Sequence, residues 1–270
     1  AAPYRKERVM RQLISQSLLA LTLSLGSLPG WAAISDAEAM NLSGMQRMLS
    51  QRLAKTYLMI GADVRAEVAN QQFDQSLAKF ESNYQALNEY APTAAIREEL
   101  STTGELWQTY RELLLNSPSR EAAPQVLQVS DQLLAQCEKV VQLIQQHTGS
   151  NSAVLVNRSG RQRMLSQRIA KLYLALSWHL PVAGLEQQFQ QAVEEFDQAL
   201  GKLQSAEQNT PAITLALQKA QAQWNFSRAG FRLSSDSRYV PTLITTTTET
   251  LLKQMQALTS AYEQVMQADS

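Results

Sequence analysis

In 270 residues the chain has one cysteine, two histidines, 10 glycines, 8 prolines and 6 phenylalanines. The lone Cys137 excludes an intramolecular disulfide framework and any cysteine-ligated zinc or iron–sulfur centre. Neither His147 nor His179 sits in an HExxH or ExxH pattern, and there is no CxxC, GxSxG, Walker or GxGxxG motif. No enzyme activity, metal or cofactor is therefore expected. A surplus of one charge is also lacking. Lys+Arg and Asp+Glu both number 24, which leaves no electrostatic footprint for nucleic acid or an anionic membrane surface. What remains is a Gln-, Leu-, Ala-, Ser- and Glu-rich composition that is 44% hydrophobic, which predicts an all-α chain with material for a sizeable core.

One long apolar run stands out. Arg5, Lys6, Arg8 and Arg11 precede Leu13–Leu28, no charge follows until Asp36, and Gly30 and Ala32 place small residues around Trp31. This is the layout of a secretory signal peptide over residues 1–32, cleaved before Ala33, with Met10 a plausible start and residues 1–9 upstream of it. Ser15, Gln16, Ser17, Thr22 and Ser24 dilute the run below the ~20 mainly apolar residues of a membrane span, the reading that an uncleaved anchor would need. The expected mature chain has 20 basic and 23 acidic residues, and its expected location is periplasmic or secreted.

The rest is organised by a duplication. Residues 41–58, NLSGMQRMLSQRLAKTYL, match residues 157–174, NRSGRQRMLSQRIAKLYL, at 14 of 18 positions with an offset of 116. The same offset aligns Gln71-Gln72-Phe73 with Gln187-Gln188-Phe189 and Phe80 with Phe196; beyond them Trp107 falls near Trp224 and Leu133-Leu134 near Leu251-Leu252. Two units follow, residues 33–148 and 151–270. Punctuation divides the first into helices over Asp36–Ile60, Val64–Tyr90, Thr93–Asn116 and Gln125–Gln146. The second repeats this, with breaks at Pro181–Gly184, Thr210-Pro211 and Ser234–Pro241. The expected architecture is two tandem antiparallel four-helix bundles forming an intramolecular pseudo-dimer. The link His147–Asn151 spans ~17 Å at most, so the second bundle starts beside the end of the first and the two first helices can run parallel. A fourth helix running straight on into the next first helix is the competing geometry, disfavoured by Gly149 and Asn151.

On the first helix, Leu42, Met45, Leu49, Leu53, Thr56 and Ile60 share the face towards their own bundle. Ser43, Arg47, Ser50 and Ala54 form a second, small-residue stripe flanked by Gly44 and Gln51. Its counterpart is Ser159, Arg163, Ser166 and Ala170, with Gly160 and Gln167. If the stripes face each other, Arg47 and Arg163 oppose across the seam, and two planar donor forks there suit a small oxyanion. Three or four charge-assisted bonds, less desolvation, would give an affinity near ~1 μM. Alternatively, both arginines pair with acids of neighbouring helices.

The motif resembles the segment that opens the PilJ-type domain of type IV pilus methyl-accepting chemotaxis transducers, and is similar to the periplasmic sensor domain of nitrate/nitrite sensor kinases. Asn41, Gly44, Arg47-Met48 and Arg52 carry the resemblance in the first copy, and Asn157, Gly160, Arg163-Met164 and Arg168 in the second. The resemblance implies an anion such as nitrate or nitrite held between two first helices by Arg47 and Arg163. Asn41, Asn157, Gly44, Gly160, Ser43, Ser159, Gln51, Gln167, Arg52 and Arg168 would complete or flank the pocket. It also implies a membrane receptor or sensor kinase as partner. The nitrate sensors carry a basic residue after the asparagine; Arg158 matches, Leu42 does not, and Arg161 stands where the first copy has Met45. The alternative function is a structural or interaction protein in which the arginines brace two bundles without ligand.

Overall fold

The computed structural model describes residues 33–231 and 239–270, so the signal-peptide reading of residues 1–32 and most of the Ser234–Pro241 break lie outside the described residues. Among those residues there are eight helices and no strand: α1 Asp36–Gly61, α2 Ala66–Tyr90, α3 Ala94–Leu115, α4 Ala123–Thr148, α5 Asn151–Ser177, α6 Leu185–Gln204, α7 Pro211–Gly230 and α8 Pro241–Ala268. Their ends follow local chemistry. The Ser35, Thr93 and Thr210 hydroxyls accept the backbone N–H of Glu38, Ile96 and Ile213, satisfying donors that the first helical turn leaves free. Pro211 occupies the first turn of α7, where a missing N–H costs nothing. Helix α2 begins at Ala66, two residues later than expected, because Asp63 and Arg65 take positive φ in the connection.

Sequence neighbours joined by short connections pack as antiparallel hairpins, α1 with α2, α3 with α4, α5 with α6 and α7 with α8. Helix α4 closes the first group against α1, and α8 closes the second against α5. Ala69, Phe73, Ser76, Phe80, Asn83 and Leu87 form the buried stripe of α2, spaced three and four residues apart. Phe80 stacks on Trp107 at 4.1 Å, and Phe196 lies on Trp224 at 4.2 Å. Each such aromatic pair adds about 0.5–1.5 kcal/mol beyond its area burial.

Helices α1 and α5 differ from the rest in being buried nearly all round, residues 53–59 of α1 without interruption. Each packs within its own group and also along the other, the most extensive helix contact among the described residues. They run parallel and in register: Arg168 reaches Gln51, and the Trp178 ring that follows α5 covers Gly61 at the end of α1. Gly149 makes this possible. With φ of 62° it ends α4 in the left-handed region, so the chain turns back instead of continuing into α5. A hydrogen bond of 2.7 Å from Asn157 to Gln145 ties the two helices beyond the turn. One hydrophobic core runs through both repeats, and residues 34–270 form a single compact body. No helix among the described residues is long and apolar enough to cross a membrane.

Candidate functional site

The small-residue stripe is the α1–α5 seam. Ser43, Ser50 and Ala54 are buried there, as are Ser159, Ser166 and Ala170. The four serine hydroxyls donate back to carbonyls of their own helices, which spends their donors locally. Small side chains let the helices approach, and the two arginines are enclosed as a result: Arg47 is 0% exposed and Arg163 1%.

Each arginine reads the other repeat's asparagine. Arg47 Nη1 and Nη2 donate to Asn157 Oδ1 and carbonyl at 2.9 and 3.1 Å. Arg163 Nη1 and Nη2 donate to Asn41 Oδ1 and carbonyl at 2.8 and 3.1 Å. The asparagines are fixed in turn, Asn157 by Gln145 and Asn41 by the Glu263 carboxylate. Gly44 and Gly160 make room for the guanidinium tips. A Cβ on Gly44 would lie 3.1 Å from Arg47 Nη2 and 3.3 Å from Arg163 Nη2; on Gly160 the distances would be 3.0 Å to Arg163 and 3.4 Å to Arg47. Both forks therefore converge on the same pair of glycines.

The alternative in which both arginines pair with acids is met on one side only. Arg47 Nη1 pairs with Glu138 of α4 at 2.8 Å, while Arg163 makes no ion pair among the described residues and its buried Nε has no partner. The position matching Glu138 in α8, at an offset of 118, is Gln256. Glu138 is itself shared with Arg161 at 3.1 Å, and the Glu263 carboxylate acts on Arg163 only from beyond Asn41. Burial, and then the like charge of Arg47, bring the Arg163 guanidinium down to about 9. Burial also lowers Arg47, against the pull of Glu138. Burial opposes ionisation of Glu138, yet Arg47 and Arg161 hold its carboxyl below the usual range.

The remaining candidates lie near but apart from the pair. Arg52 forms a two-pronged ion pair with Glu249 of α8 at 3.0 and 2.7 Å, which Lys55 joins at 3.3 Å. Arg168 and Lys171 meet Asp131 of α4 at 2.6 and 2.8 Å. Each first helix is thus clamped by the fourth helix of the other repeat. Gln51 donates to Ser50 and to the Ser130 carbonyl; Gln167 donates to Ser166. Arg158 is half-buried and makes no side-chain bond among the described residues. Two half-exposed acids of α6 also take part in pairs, Glu195 with Arg161 and Asp197 with Arg228.

Sequence reasoning passed over Lys55 and Lys171, which lie inside the identical motif, and the acids Glu138, Asp131 and Glu249. Asp131 and Glu249 occupy matching positions at an offset of 118, the register that also aligns Leu133-Leu134 with Leu251-Leu252. Aligning the fourth helices on those leucines would have revealed them.

No curated protein and no solved structure matches the chain. One family model does, twice, over residues 31–133 and 145–269. The chain with paired, crossed arginines at its seam belongs to the PilJ family, the type IV pili methyl-accepting chemotaxis transducer N-terminal domain, a chemotaxis-type sensory module present here in two tandem copies.

Proposed function

We propose that the protein is an exported, non-catalytic sensory module that binds a small oxyanion, nitrate or nitrite, between Arg47 and Arg163 and reports its presence to a membrane receptor or sensor kinase. One observation carries the reading. Two fully buried guanidiniums converge on Gly44 and Gly160, and Arg163 has an unpartnered Nε and no ion pair among the described residues. Buried cations are expensive unless compensated, and an anion between the forks would relieve both desolvation and mutual repulsion. Arginine offers five donors, of which Arg163 uses two, so capacity for an oxyanion remains. In this reading the two repeats act as the halves of a pseudo-dimer within one chain. Asn41 and Asn157 hold the forks, the two glycines give the ion room, and Arg52, Arg168, Arg158, Ser43, Ser159, Gln51 and Gln167 frame the site.

Titrating the purified protein with nitrate, nitrite, sulfate and chloride, by calorimetry and by thermal unfolding, tests it. A ligand of the folded state raises the unfolding midpoint as its concentration passes Kd. The midpoint should rise with nitrate or nitrite, and Arg47→Ala and Arg163→Ala should each remove most of the rise. The bracing function is the second reading, favoured by the Arg47–Glu138 pair. It requires a wild-type midpoint unmoved by millimolar anion together with arginine variants that are strongly destabilised.

A further inference from the structure

The repeats are not equal at their flanks. On one side of the seam Arg161 bridges Glu138 at 3.1 Å and also Glu195, so three side chains from α5, α4 and α6 close the surface. The matching positions on the other side are Met45, Gln256 and Lys79, which cannot form such a bridge. There a cleft of about 480 Å³ opens, with all three of those residues in its wall. That volume falls in the range of about 300–1,000 Å³ typical of small-molecule sites.

Chemistry divides the cleft into three zones. Its inner end holds Asn41 and Arg163, an arginine with an unpartnered Nε and no ion pair among the described residues, the nearest acid, Glu263, being bonded to Asn41. Its floor is apolar: Met45, Met48, Leu49 and Leu252. Its rim carries Lys79 and Lys253, both exposed and without an ion pair among the described residues. The one carboxylate in the wall, Glu249, is committed to Arg52 and Lys55. A basic, half-apolar cleft of this size exceeds what an inorganic ion can fill.

We propose that this cleft is a second site, for an organic anion: a small monocarboxylate whose carboxylate meets the Arg163–Asn41 end beneath the lysine rim and whose apolar body lies on the methionine and leucine floor. A planar carboxylate suits a guanidinium fork, and polarisable, flexible methionines adapt to a hydrocarbon or ring. The site shares Arg163 with the seam but stands on the cleft and its charges, independently of nitrate binding.

Calorimetry of the full chain with benzoate and with hexanoate tests this, with inorganic phosphate as the control lacking an apolar body. Saturable binding of a carboxylate, stronger than that of phosphate, is expected. Met45→Arg with Lys79→Glu and Gln256→Glu copies the bridge of the closed side and should abolish binding. Lys79→Glu with Lys253→Glu alters only exposed positions, so folding is preserved, and should weaken binding about tenfold or more through rim repulsion. Absence of saturable carboxylate binding to the wild type, or unchanged affinity in the lysine double variant, overturns the site.

Discussion

Arg47 and Arg163 occupy equivalent positions yet differ in what surrounds them. Arg163 has no ion pair to lose, and removing it relieves the like charge facing Arg47 while leaving Asn41 Oδ1 and carbonyl without its donors, so Arg163→Met should leave the ligand-free protein close to wild type in stability. Arg47→Met breaks a charge-assisted bond to Glu138 and should be less stable than Arg163→Met by about 1–3 kcal/mol, with Arg161 still holding the acid. Urea unfolding without added anion measures the difference. The buried lysines add a pH dependence. Burial and then Arg52 depress Lys55 to about 7, and burial is the main cause that brings Lys171 to about 8, both from 10.5. An unfolded lysine therefore holds its proton where the folded one has released it, and the unfolded state binds more protons between those values and 10.5. Stability from these groups rises with pH across that window and is flat below about 7. Unfolding free energies of wild type and Lys55→Met at pH 6, 8 and 10 should diverge in favour of wild type as pH rises. A difference independent of pH would contradict the depressed lysine.

The crossed clamps and the paired glycines belong to the helices as elements. Glu249 is the acid for both Arg52 and Lys55, and Lys55 is 1% exposed. Glu249→Gln leaves Arg52 and Lys55 with no acid and, at pH 6 where Lys55 is charged, should cost about 3 kcal/mol, the low end for breaking a buried pair because Glu249 is itself 16% exposed. Asp131→Asn should cost less, since Asp131 is 41% exposed and its pair with Lys171 is more screened. Thermal unfolding of the two variants sets the order. Gly44→Ala and Gly160→Ala act differently. Alanine favours a helix by about 1 kcal/mol over glycine, but its Cβ presses on guanidinium tips that are buried and bonded to the asparagines, which offsets that gain. Each variant should unfold close to wild type while losing much of its midpoint rise with nitrate. A full nitrate rise in both would show that the ion does not sit between the forks.

At the scale of the molecule, the repeats resemble two domains in sequence and one body in space. Helices α1 and α5 are each buried by elements of both repeats, so neither four-helix group covers its own first helix. A fragment of residues 34–148 would expose the stripe of Ser43, Arg47, Ser50 and Ala54 along with Met48. It should pair with a second copy of itself or lose cooperative unfolding, as sedimentation and calorimetry would show. A monomer that melts cooperatively near the full-length midpoint would mean the groups are independent.

The duplication, the all-helical class and most helix limits were legible because they rest on local chemistry: Thr93 and Thr210 as caps, Pro211 opening α7, Gly149 closing α4. The small-residue stripe also marked which face of α1 meets another helix. Partners were not legible. Arg47 and Arg163 reach each other's asparagines, one finds an acid and the other does not, and Lys55 and Lys171 are held by acids of the opposite repeat. Those choices depend on the rotation and level of helices whose contacting residues lie 40 to 194 positions apart in the chain, where side chains meet through packing and not through sequence spacing. A repeat fixes what two halves have in common. Only the tertiary structure decided how the substitutions that distinguish them, Met45 against Arg161, Lys79 against Glu195 and Gln256 against Glu138, close one flank and leave the other open.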